Sequence, residues 1–204
     1  RVFLNGLKQR CERAGTDDVD IRQRYGQLLD TLDEQQRDVA LYVLGRRGRS
    51  AAHTQRDLGR HVESISRKIQ RPILTVASEF SEPKSLLVAY DGKRMTRGCI
   101  TLIAGNAALA DLPVHVVMSG KQTNESEKQL HWATETLVLG GFSVETAYLP
   151  GDPEQQIMRV LNDREIDILV MGAYSQSPLR SLFFGSKTND LLRASRVPTV
   201  TVHL

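Results

Sequence analysis

The chain repeats itself at a fixed offset. Asp167-Ile-Leu-Val-Met-Gly172 leads through a loop to Phe184-Gly185-Ser186, a helical stretch and Pro198-Thr-Val-Thr-Val202. Ala40-Leu-Tyr-Val-Leu-Gly45 leads through a loop to Leu58-Gly59-Arg60, a helical stretch and Pro72-Ile-Leu-Thr-Val76. Gly59 and Gly185 stand 126 positions apart, as do Pro72 and Pro198. The same shift carries Ala14-Gly15 onto Gly140-Gly141, where a helix should end. One extra residue in the earlier loop accounts for the only slip. Such a repeat constrains the fold before any local pattern does. Arg1 falls opposite Glu127, so the first copy lacks the counterpart of Ser85 to about Ser126, its opening strand, helix and second strand. A parallel sheet without its central strands exposes apolar edges, which another chain or the second copy would have to cover. The start, Arg1-Val2-Phe3-Leu4, has neither a Met nor the order of a signal peptide, and is expected to lie inside a longer chain.

The second copy alternates strand and helix. Ser85-Leu-Leu-Val-Ala-Tyr90 reads as a buried strand ended by Asp91-Gly92. Residues 94–110 carry Ile100, Ile103, Ala104, Ala107 and Ala108 at helical spacing, and Pro113 to Met118 is a second strand. Asn124, with Glu127 three residues on, is expected to open a helix reaching Gly140-Gly141. Phe142 to Leu149 alternates as a strand, and Asp152 caps a helix with Pro153 in its first turn. Ile166 to Met171 is the fourth strand, Leu182 to Ser195 contains the fourth helix, and Thr199 to His203 is the fifth strand. The fold class expected is α/β: a parallel five-stranded sheet flanked by helices, present as one incomplete copy (1–78), a linker (79–84, with Pro83) and one complete copy (85–204). Ligands of such sheets bind beyond the carboxyl ends of the strands, at a switch point in strand order. Asp91, the region of Met118-Ser119-Gly120 and the loop from Gly172 to Lys187 fall there.

That loop is the most informative stretch. Glycines let backbone approach a ligand, and Ser186, Lys187 and Thr188 lie near a helix start, where free N–H groups favour an anion. It is not a P-loop, because Ser186 separates Gly185 from Lys187. A turn and helix cap explain Gly185-Ser186 equally well, and Asp91, taken without the loop, is more readily a strand terminator than an acceptor for a ribose or base.

Composition excludes more than it selects. Hydrophobic residues make up 40% and charged residues 25%, ordinary for a globular chain, and no apolar run approaches a membrane span. The two cysteines, Cys11 and Cys99, form no metal-spaced set and fit a reducing, cytoplasmic setting. The five histidines are scattered, and no Ser/His/Asp or Cys/His arrangement is legible, so nothing argues for an enzyme. A net charge of +3 implies no polyanion partner by itself. Residues 46–71 carry eight Arg/Lys against Asp57 and Glu63, but aromatics are nearly absent and a solvated helix face is the simpler reading.

The order so derived resembles the universal stress protein family, within the adenine-nucleotide-binding, Rossmann-like α-hydrolase group. The resemblance rests on Leu86-Leu-Val-Ala-Tyr-Asp91-Gly92, Gly151-Asp152-Pro153, Asp167-Ile-Leu-Val-Met-Gly172, Gly185-Ser186 and Arg196-Val-Pro-Thr-Val-Thr-Val202. It covers 85–204, while 1–78 resembles the latter part of the same unit. It implies a pocket for adenine and ribose at Ala89, Asp91 and Val116. Met171, Gly172 and Ser175 would flank sugar and phosphates, with Gly185, Ser186 and Lys187 on the phosphates. Nucleotide-binding members carry Gly-x2-Gly-x9-Gly-Ser/Thr, and Ser175 stands here in place of the second glycine. In the first copy Arg60 stands where the family has Ser or Thr, so that copy should not bind.

The resemblance thus implies a cytoplasmic sensor that binds ATP, with or without Mg, in its second copy and hydrolyses it slowly at most. The alternative is an interaction scaffold of the same fold that binds no nucleotide. The family pairs through its last strand. Self-association, or an internal pseudo-dimer between Ile73–Ala77 and Thr199–Leu204, is therefore expected. Further protein partners are unknown, nucleic acid is disfavoured, and no membrane is involved.

Overall fold

The computed structural model describes residues 2–16, 18–46, 60–76, 79–173 and 195–203. In chain order the elements are α1 (Val2–Arg13), α2 (Leu28–Gln35), β1 (Tyr42–Gly45), α3 (Arg60–Lys68) and β2 (Ile73–Val76). There follow β3 (Leu86–Tyr90), α4 (Arg94–Ala104), a 3-10 turn (Ala107–Leu109), β4 (Val114–Ser119) and α5 (Asn124–Leu139). The last are β5 (Val144–Leu149), α6 (Pro153–Asp163), β6 (Ile168–Gly172) and β7 (Thr199–Val202). The helix expected within Leu182–Ser195 lies outside the described residues.

The strands form one sheet in the order β1-β2-β7-β6-β3-β4-β5. It has seven strands, not the five expected, and is not wholly parallel. Strands β3 to β7 pair in parallel among themselves, as do β1 and β2, but β2 and β7 pair antiparallel. The reason is local: both are short, apolar and Thr-containing, and each would be an open edge without the other. Backbone pairing removes both edges at once.

Burial on both faces explains the near-continuous apolar runs of β3 and β4. Leu86, Val88, Tyr90, Val114, Val116 and Met118 pack on Cys99, Ile100, Ile103, Ala133 and Leu137 of α4 and α5. On the other face Leu87, Val117, Leu169 and Met171 pack on Ile157, Val160 and Leu161 of α6. A separate cluster of Tyr42, Ile65, Ile69 and Ile73 lies under α2 and α3. Burial pushes the Cys99 thiol and the Tyr90 phenol up to about 12, and the phenol donates to the Gln129 carbonyl at 3.2 Å.

The repeat offset is visible in the backbone. In β1–β2 the partners run from Tyr42↔Ile73 to Gly45↔Val76, and in β6–β7 from Leu169↔Thr199 to Gly172↔Val202. Across the antiparallel seam Leu74 faces Val200, its own counterpart at the 126-residue shift, while Ile73 faces Thr201 and Thr75 faces Thr199. This is the register of a local two-fold axis. The ends of α1 and α5 repeat bond for bond: Ala14, Gly15 and Thr16 donate to the carbonyls of Arg10, Glu12 and Cys11. Gly140, Gly141 and Phe142 donate to Thr136, Val138 and Leu137. Gly15 and Gly141 both sit at φ +88°, where a glycine is the low-strain choice.

Helix starts agree with the sequence at α6 and differ at α5. Asp152 accepts from the N–H groups of Glu154 and Gln155 at 3.1 and 3.2 Å, with Pro153 in the first turn. At α5 the cap is Thr123, not Asn124, and Ser126 closes the capping box in the place expected of Glu127. Asn124 is the first helical residue, and a hydroxyl one position earlier satisfies the same orphan donor.

Candidate functional site

The connections leaving β3 and β6 diverge: β3 leads through α4 to β4 on one side, and β6 leads to β7 on the other. The carboxyl ends of these adjacent strands form the switch point where doubly wound sheets bind ligands. Three of the residues singled out above line up there in the backbone. Ala89 and Met171 are register partners, so their side chains share the α6 face, and Gly172 ends β6 one residue on. Met171 is 3% exposed, so it forms a closed floor to this row.

Asp91 follows β3 directly. Its Oδ1 accepts from the Thr96 hydroxyl at 2.6 Å and from the Lys93 N–H at 3.0 Å, tying the turn to the first turn of α4. The carboxylate therefore already has a structural task, and its second oxygen takes none of the hydrogen bonds found among the described residues. Gly172 is required by packing. A Cβ there would come within 2.9 Å of the Met95 Cβ and 3.3 Å of the Thr96 Cγ2, because the start of α4 crosses the end of β6. The glycine is thus explained without a ligand.

Val116 is placed differently from the expectation. It is fully buried against α4 and α5, on the opposite face from Ala89 and Met171. The β4 residue on their face is Val117, the register partner of Ala89. A strand buried on both faces shows no polar alternation, so its sequence does not say which residues face which layer. Ser175, Gly185, Ser186 and Lys187 lie outside the described residues. The structure therefore brings together Ala89, Asp91, Met171 and Gly172, and adds Val117. Among the described residues no group of three or more His, Cys, Asp or Glu side chains stands close enough to share a metal ion. No described helix is long and apolar enough to cross a membrane.

Fold and strand order define a doubly wound α/β protein. The sequence profile described as the universal stress protein family matches residues 99–203. The chain is 34% identical over 203 residues to universal stress protein Slr1230 of Synechocystis sp., covering 98% of this chain and 71% of that relative. The chain belongs to the universal stress protein family. Among solved structures it resembles a universal stress protein from Archaeoglobus fulgidus at a TM-score of 0.73 and 14% identity, over 98% of this chain and 78% of that one. A universal stress protein solved in complex with cAMP matches at a TM-score of 0.51 and 18% identity, over 60% of this chain and 98% of that one.

Proposed function

We propose that the chain is a cytoplasmic stress sensor that binds an adenine nucleotide, ATP with or without Mg, at the carboxyl ends of β3 and β6. The observation that carries the reading is the row of Ala89 and Met171 at the switch point, beside Asp91. Val117 widens the apolar floor where a base would lie, and the cAMP complex of a relative shows that one member of the fold takes an adenine nucleotide. Ser175, Gly185, Ser186 and Lys187 are the residues proposed to meet sugar and phosphates. The repeated register and repeated helix ends support a duplication, with 1–78 the latter part of one unit, 79–84 a linker and 85–204 a complete unit. On this reading the first unit is silent, and the β2–β7 seam is an internal pseudo-dimer that takes the place of self-association.

Titration of the purified protein with Mg-ATP tests the proposal. The expected result is one site per chain in the micromolar range, about −8 kcal/mol, lost in Ser186→Glu, where a carboxylate would oppose the phosphates. Unchanged affinity in that variant would remove the phosphate assignment. A second reading, an interaction scaffold without nucleotide, is favoured by the structural tasks already held by Gly172 and Asp91. Absence of binding at millimolar Mg-ATP, with no nucleotide retained on purification, would select it.

A further inference from the structure

A cavity of about 210 Å³ lies between α6 and the outer strands β4 and β5. Ala89, Asp91, Val116, Met171 and Gly172 do not line it, and Val117 is the one residue it shares with the proposed nucleotide site. It arises from side-chain size: Val117, Ala147 and Leu149 leave room under a helix whose facing stripe is Gln156, Arg159, Val160 and Asp163, at i, i+3, i+4 and i+7 spacing. The volume is roughly that of seven waters in the liquid, enough for one ring or a short alkyl chain with its head group.

The wall is apolar on the sheet side and charged at the helix. Arg159 and Arg164 are each paired with one carboxylate, Asp163 on the wall and Glu145 beside it, so what the wall offers is spare guanidinium donors and not net charge. The His115 Nδ1 on β4 lies 3.2 Å from the Arg164 Nη1 and 3.3 Å from the Glu145 Oε2, and that Nη1 donates to Glu145 on β5. That bond holds the Glu145 carboxyl below its usual range, so the anchor stays ionised. The other ion pair, Arg159 with Asp163 at 3.3 Å, is exposed and held weakly, so a competing anion displaces it at little cost. A guanidinium fixed at one nitrogen keeps further donors in its plane, which is the geometry that recognises a carboxylate.

We propose that this cavity is a second small-molecule site, adjoining the nucleotide site at Val117, and that it takes a small organic monocarboxylate with an apolar body. The body lies on Val117, Ala147 and Leu149, and the carboxylate meets Arg164 and Arg159. The inference does not depend on nucleotide binding.

The test uses the whole chain and benzoate as probe, with benzamide as its uncharged counterpart, read by saturation-transfer NMR and titration. Benzoate is expected to bind at least about tenfold more tightly than benzamide, a difference of about 1.4 kcal/mol. Ala147→Phe, which fills the cavity, is expected to abolish benzoate binding. Arg164→Gln is expected to weaken benzoate about tenfold and leave benzamide unchanged. If Ala147→Phe fails to fold by circular dichroism, Arg164→Gln alone decides. No benzoate binding at millimolar concentration, equal affinity for benzamide, or an unaltered Arg164→Gln would overturn the proposal. Displacement of benzoate by Mg-ATP would also overturn it, by merging the cavity with the nucleotide site.

Discussion

Gly172 and Asp91 each admit two explanations in the sequence, and distances separate them. The first turn of α4 passes so close to Gly172 that an added methyl would meet the Met95 Cβ at 2.9 Å. Gly172→Ala is therefore expected to destabilise the fold by about 1–3 kcal/mol, the usual cost of overpacking, measured as a lower urea midpoint at unchanged slope. An unaltered midpoint would mean that α4 shifts freely and that the glycine serves a ligand instead. Asp91 is held by Thr96 and Lys93, so part of its value is structural whatever else it binds. Val116 and Val117 are adjacent and chemically identical, yet one lies under α4 and α5 and the other under α6. Only pairing with Val88 and Ala89 tells them apart.

Elements were legible where a local signal exists. Asp152-Pro153 marks α6 because a carboxylate is placed to accept from the next free N–H groups. Asp152→Ala is expected to cost about 1 kcal/mol, read as a shift in the denaturation midpoint, with Asp152→Asn recovering most of it. Loss of nothing in the alanine variant would show that α6 is held by its buried face alone. The α5 start was one residue from the expectation, since Thr123, Asn124 and Ser126 are all capping types and the sequence does not rank them. Helix α4 stops at Ala104, and a 3-10 turn follows at Ala107–Leu109, although the apolar spacing runs on to Ala108. There Asn106 caps the new turn by accepting from the Ala108 N–H, a competing bond that ends the longer helix.

At the scale of the molecule the halves meet in β2 and β7 but keep separate cores. Tyr42, Ile65, Ile69 and Ile73 form one cluster, and the two clusters around β3, β4 and β6 contain none of them. Strand β2 lies between β1 and β7, so each of its inward N–H groups serves one neighbour or the other. Leu74→Pro removes one such donor at the centre of the seam, at a cost of about 3 kcal/mol or more. Hydrogen exchange is expected to show lost protection in residues 28–76 and retained protection in β3 and β4. Uniform loss across all strands would mean that the halves fold as one cooperative unit.

By itself the sequence determined the α/β alternation of the described elements of 85–204, the cap of α6 and the family, because each of these is written in contacts a few residues apart or in composition along one element. It did not determine the seven-stranded sheet, the face to which each valine of β4 points, the reason for a glycine at 172 or the space beneath α6. Those depend on which elements meet. An edge strand carries the same residues whether paired or open, a doubly buried strand hides its own direction, and a cavity is the difference between side-chain volumes on separate elements. Only the tertiary structure brings such terms together.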